Sequence, residues 1–136
     1  MMAQYLAAYG FTAAIFLVID LIWLSQIAKT FYSERLGDLL LDKPNMGAAA
    51  GFYAIYVVGI IIFSVAPALR AGSPTTALAY GALFGFFAYA TYDMTNYATL
   101  RNWPLEVSLV DTAWGACLTG VSALLGYLLT RLIFQA

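Results

Sequence analysis

Apolar residues run through this chain in four long blocks, and the three interruptions between them hold most of its Lys and Arg. A helix needs about 20 predominantly apolar residues to span a bilayer. The blocks that meet this lie at about 5–27, 46–69, 74–98 and 104–132. Ser73-Pro74 opens the third block with a good N-cap followed by a proline suited to a first helical turn. "NWPLE" opens the fourth, with Pro104 in the same role. The links at 70–73 and 99–103 are too short for anything but antiparallel neighbours. The pattern predicts an all-α fold: one integral membrane domain over residues 1–136, a four-transmembrane-helix bundle. The first link, "AKTFYSERLGDLLLDKPN" (28–45), is longer. Phe31, Leu36, Leu39 and Leu40 can share one side of a short interfacial helix between helices one and two, although a solvated loop fits equally.

Composition extends this from the blocks to the whole chain. Of 136 residues 63% are hydrophobic and 10% charged, against about 25% charged in a soluble domain. The deficit runs along the entire length, so membrane lipids are the expected partners. "MMAQYLAAYGF" has no Lys or Arg ahead of its apolar run and reads as the first membrane helix, not a removable signal. Lys29, Arg35, Lys43 and Arg101 flank one side of the membrane, and Arg70 and Arg131 the other. This bias places loops 28–45 and 99–103 in the cytoplasm. The single Cys117 rules out an intrachain disulfide. The absence of His removes the commonest metal ligand and the commonest general base. With a net charge of −1 and no basic run, no nucleic-acid partner is expected.

Candidate chemistry rests on three carboxylates. Asp20, Asp93 and Asp111 lie inside predicted helices, and the alternating helix directions bring all three to the side of the larger loops. An ionised Asp at membrane depth costs about 2.5–3.5 kcal/mol on insertion scales, so these groups are expected to face the bundle interior or a water-filled vestibule. Helical spacing puts Tyr89, Asp93 and Asn96 on one face of helix three, and Asp20 with Phe16 and Trp23 on one face of helix one. Tyr53 and Tyr56 lie near the same end of helix two. Ser108, Asp111, Gly115, Thr119, Ser122 and Gly126 form a small-and-polar stripe on helix four, where Trp114 lies deep enough to face the bundle. Interfacial anchoring is the default role for Trp23 and Trp103, and close helix packing is the default role for the glycines.

The candidate ligand-binding residues are therefore Asp20, Trp23, Tyr53, Tyr56, Tyr89, Asp93, Asn96, Asp111 and Trp114. Their best use is binding, with transport as an extension, of a small polar molecule, a lipid head group or protons. Four helices make a thin transporter, so transport would call for a homo-oligomer. A membrane-embedded lipid-modifying enzyme is the alternative, with an Asp as general acid/base. No nucleophile–base pair stands out for it, and no catalytic residue is assigned. A structural or accessory subunit, its polar residues serving only to pack helices, is the third reading. Asp and Asn could offer an all-oxygen cation site, but no paired Asp-x-x-Asp motif occurs, and neither a metal nor a cofactor is assigned.

"DLIWL", "YDMTNYATLRNWP" and "VDTAWGACL" together resemble a bacterial family of small four-helix integral membrane proteins, domain of unknown function 2177. The resemblance covers nearly the whole chain and implies four spans in a bacterial inner membrane. It carries no activity and no site residues.

Overall fold

The computed structural model describes residues 1–134, and within them every regular element is helical. The first rod is α1 (Met2–Trp23), which continues through a π-helical turn (Leu24–Ala28) into α2 (Lys29–Leu36). The second is α3 (Met46–Ile60), which continues through a second π turn (Ile61–Val65) into α4 (Ala66–Ala71). The third and fourth are α5 (Pro74–Thr99) and α6 (Leu105–Phe134). Three of the rods are long and apolar enough to cross a membrane, over 2–39, 46–71 and 105–134. The 26-residue α5 has the length for a span but is more polar, because its last third carries Thr91, Asp93, Thr95 and Asn96.

The ends follow from local chemistry. Asn45 caps α3, its side chain accepting from the Ala48 amide at 3.0 Å, and Ser73 caps α5 by accepting from Thr76 at 3.1 Å. Gly72 closes α4 in the left-handed conformation (φ 63°), which costs a glycine little. Pro67 lacks the N–H that an α-helical turn would use, and the second π turn lies immediately before it. The Ser64 hydroxyl in that turn donates to the Ala77 carbonyl at 2.7 Å, fastening the second rod to α5.

The short helix expected in the first link is present as α2, but it extends the first rod without a break. Residues 29–36 contain no Pro or Gly, and the first breaker is Gly37 (φ 51°). The π turn matters for direction. Positions four apart drift by about 40° around an α-helix, and a wider turn takes up part of that drift. Leu24, Ala28 and Tyr32 thereby all face the same side of the bundle. The ion pair between Arg35 Nε and Glu106 at 3.4 Å, with the Arg35 guanidinium 4.1 Å above the Phe31 ring, ties α2 to the start of α6.

Helices α5 and α6 form the most extensively packed pair, and α6 also packs along α1. Their approach is close because glycines line the seam. A Cβ at Gly85 would overlap the Gly115 carbonyl and come within 2.7 Å of Thr119. The second rod behaves differently. Its π turn packs firmly on α5, whereas the α3 backbone leans on α1 and stands away from α5 and α6, which it reaches only through large side chains such as Tyr56. The second and third rods therefore diverge toward the side of the longer loop. That divergence creates the pocket.

Candidate functional site

A pocket of about 350 Å³ occupies the space left by the divergence. The first rod contributes Asp20, Trp23, Leu24 and Tyr32, α3 contributes Phe52, Tyr53 and Tyr56, α5 contributes Ala88, Tyr89 and Tyr92, and α6 contributes Asp111 and Trp114. Asp20 is almost fully buried, at 5% exposure. One of its oxygens accepts from Tyr53 Oη at 3.0 Å and the other from Trp114 Nε1 at 3.3 Å. Trp114 is stacked on Trp23 with ring centroids 4.3 Å apart and planes 9° from parallel, so helices one and four meet through an indole pair beside that carboxyl. Tyr56 exchanges a hydrogen bond with Thr119 at 2.8 Å and stacks on Phe84. Tyr89 lies directly over Gly115, where any larger residue would overlap its ring.

A second chamber of about 570 Å³ adjoins the first and shares Leu24, Tyr32, Tyr92 and Asp111 with it. Asp93 lines this chamber together with Asp111, and their carboxyls are within interaction range of one another. Asp93 is completely buried, and neither of its oxygens has a hydrogen-bond partner among the described residues. Asp111 accepts from Tyr32 Oη at 2.6 Å. Trp103 and Ser108 back the chamber: the indole donates to Ser108 Oγ at 3.0 Å, and that hydroxyl donates to the Asp93 backbone carbonyl at 2.7 Å. Removing the hydroxyl with Ser108→Ala would leave the buried indole N–H without its acceptor. A loss of about 1–2 kcal/mol is expected, read as a lower midpoint in thermal unfolding in detergent; an unchanged midpoint would show the link to be dispensable.

Of the nine candidates, seven line the first pocket and Asp93 lines the second chamber, while Asn96 lines neither. The shared face of Tyr89, Asp93 and Asn96 is thus divided along its length: Tyr89 lines the first pocket, Asp93 the second chamber, and Asn96, half-buried one turn further on, lies beyond both. The three carboxyls do not gather at one point. Asp111 interacts with Asp93 on one side and Asp20 on the other, so they form a string. Among the described residues no three acidic side chains are set to hold a metal ion.

Tyr32 and Tyr92 were not among the candidates, and both line both chambers. The signal for Tyr92 was present, since it adjoins Asp93 and lies three residues past Tyr89. Tyr32 carried none, because only the π turn and the unbroken continuation into α2 return it to the bundle. Trp103 is not the interfacial anchor expected of it: it is buried, at 9% exposure, and hydrogen-bonded to Ser108.

The apolar rods and the inward-turned carboxyls define a helical-bundle membrane protein. The chain belongs to the family described as "Predicted membrane protein (DUF2177)", whose model matches residues 5–128. No curated protein and no solved structure matches it.

Proposed function

We propose that this membrane protein binds a small polar molecule or a lipid head group in the pocket between its first and second rods and the α5–α6 pair. The observation that carries the reading is the pocket itself. Its volume of about 350 Å³ falls within the range of ligand sites. Its walls are mainly aromatic, with a few polar groups held in place by Tyr53, Trp114 and Tyr32. Such walls with few, fixed polar groups are how small-molecule sites combine affinity with orientation. The unpartnered Asp93 beside Asp111 favours proton handling as a companion to binding, since intramembrane carboxyls commonly serve proton relays. With loops 28–45 and 99–103 in the cytoplasm of a bacterial cell, the pocket would lie toward the cytoplasmic side of the inner membrane.

The test is what the protein retains. Wild-type protein purified in mild detergent should carry a co-purifying molecule in near-stoichiometric amount, detected by native mass spectrometry. Ala88→Phe, which places a ring in the pocket, should purify without it. Retention of the same species by the filled variant, or a wild type that carries only detergent, would sink the reading.

A further inference from the structure

We infer that the ligand is an organic cation: an ammonium group with an apolar tail, its head between Asp20 and Asp111 and its tail in the cleft between α3 and α5. This deepens the binding reading above and rests on it.

Charge is the first argument. No Lys or Arg lines the first pocket. Among the described residues the ion pairs all involve Arg35, whose partners are Glu34 and Glu106. Asp20 and Asp111 thus face the first pocket without a basic residue in its walls; Lys29 lines the adjoining chamber with Asp111 and the buried Asp93 but forms no ion pair with either. Tyr53, Trp114 and Tyr32 hydrogen-bond the Asp20 and Asp111 carboxyls but bring no positive charge, which is what a cationic ligand would add. An anion would meet two or three like charges. A neutral ligand would bring no counter-charge to them. Each Asp20 oxygen accepts one hydrogen bond, and a carboxylate offers about four acceptor positions, which leaves room for an ammonium.

The walls are the second argument. A hard metal ion seeks six or more oxygens, which the aromatic lining does not supply. Aromatic faces carry negative quadrupole charge and attract weakly hydrated cations, as in the cages that hold quaternary ammonium groups. Trp23, Trp114, Tyr53, Tyr89 and Tyr92 line the pocket with the carboxyls, Trp23 and Trp114 each having one face covered by the other.

Access to the pocket points the same way. Because α3 and α5 separate toward this end, the pocket is flanked sideways by Phe52 and Tyr92, each 59% exposed. In a bilayer that gap faces acyl chains, which suits a ligand that arrives by way of the lipid with its tail trailing outward. The same ammonium chemistry occurs on a phospholipid head group and on a free amphiphilic amine.

Titration of the full-length protein in an uncharged maltoside detergent separates these, read by the fluorescence of the pocket tryptophans. The probes are octyltrimethylammonium, octyl sulfate, octyl glucoside and the short phospholipid dihexanoylphosphocholine. Octyltrimethylammonium should bind at least about tenfold more tightly than the sulfate or the glucoside, given cation–π and carboxylate contacts together. Asp20→Asn and Asp111→Asn should each weaken it by about tenfold, while Asp38→Asn in the exposed loop should not. The charge comparison needs no variant, so it stands even if one fails to fold. Tighter binding of the phosphocholine than of the alkylammonium would identify the lipid head group as the source of the ammonium; the reverse order would identify a free amine. Equal affinity for all the octyl compounds would overturn the cation inference and leave the binding reading intact. No saturable response to any probe, together with no co-purifying molecule, would overturn both.

Discussion

Asp93→Leu is expected to unfold at a higher temperature than the wild type, by an amount equivalent to about 1–3 kcal/mol, the mutational cost of a buried polar group without a hydrogen bond. The sign follows from the surroundings. The Asp93 side chain is fully buried and neither oxygen has a hydrogen-bond partner among the described residues. Burying a polar group without a hydrogen bond costs about 1–3 kcal/mol on mutational scales, and a charge costs more. A leucine removes that cost and adds apolar contact with Leu24 and Val107, which line the same chamber. A residue kept only to hold helices together would behave in the opposite way, since its loss would leave a partner stranded. Thermal unfolding of both proteins in one detergent decides between them. A midpoint below the wild type would return Asp93 to the role of interhelical glue, while a rise would mean that the carboxyl is retained at the expense of stability.

The largest loss of stability is expected at the glycine seam. Gly85→Val should destabilise the bundle by about 3 kcal/mol or more, at the upper end of what overpacking costs. The added Cβ would overlap the Gly115 carbonyl, which is backbone and cannot turn aside as a flexible side chain can. Relief requires α5 and α6 to move apart, and these are the most extensively packed helices of the fold. The movement would also displace Tyr89, which lies over Gly115, and Asp111 and Trp114 from α6. Size-exclusion profiles and melting curves should show an aggregated or early-melting protein. Gly10→Val, at a position with nothing within 4 Å of the added carbon, serves as the control. A Gly85→Val protein that elutes and melts like the wild type would show that α5 and α6 can separate at this seam without loss of stability.

Much of the fold was legible because membrane insertion constrains sequence so strongly. Lipid leaves only helices or closed barrels available, and four apolar blocks with start signals such as Ser73-Pro74 and Pro104 mark four rods. The part of the site carried by regular helix was legible too, because side-chain direction follows from a 3.6-residue turn. Asp20 and Trp23, or Asp111 and Trp114, could be put on common faces by counting. Counting failed where the turn widens. Tyr32 lies beyond a π segment that no residue announces, and Asn96 keeps its face but lies near the end of α5, past both chambers. Trp103 failed for a different reason: in a five-residue link, a tryptophan's place depends on what it can hydrogen-bond, and Ser108 was not visible as its acceptor.

By itself the sequence determined a helical membrane protein with carboxyls and phenols gathered near one end, because the cost of exposing apolar surface to water and charge to lipid is set residue by residue. Only the tertiary structure decided that α3 and α5 diverge, that an indole stack joins the first and fourth rods beside Asp20, and that the three aspartates form a string with one member unpartnered. Those outcomes depend on how closely two backbones approach. That distance is set by pairs such as Gly85 and Gly115, which are far apart along the chain and meet only once the helices have packed.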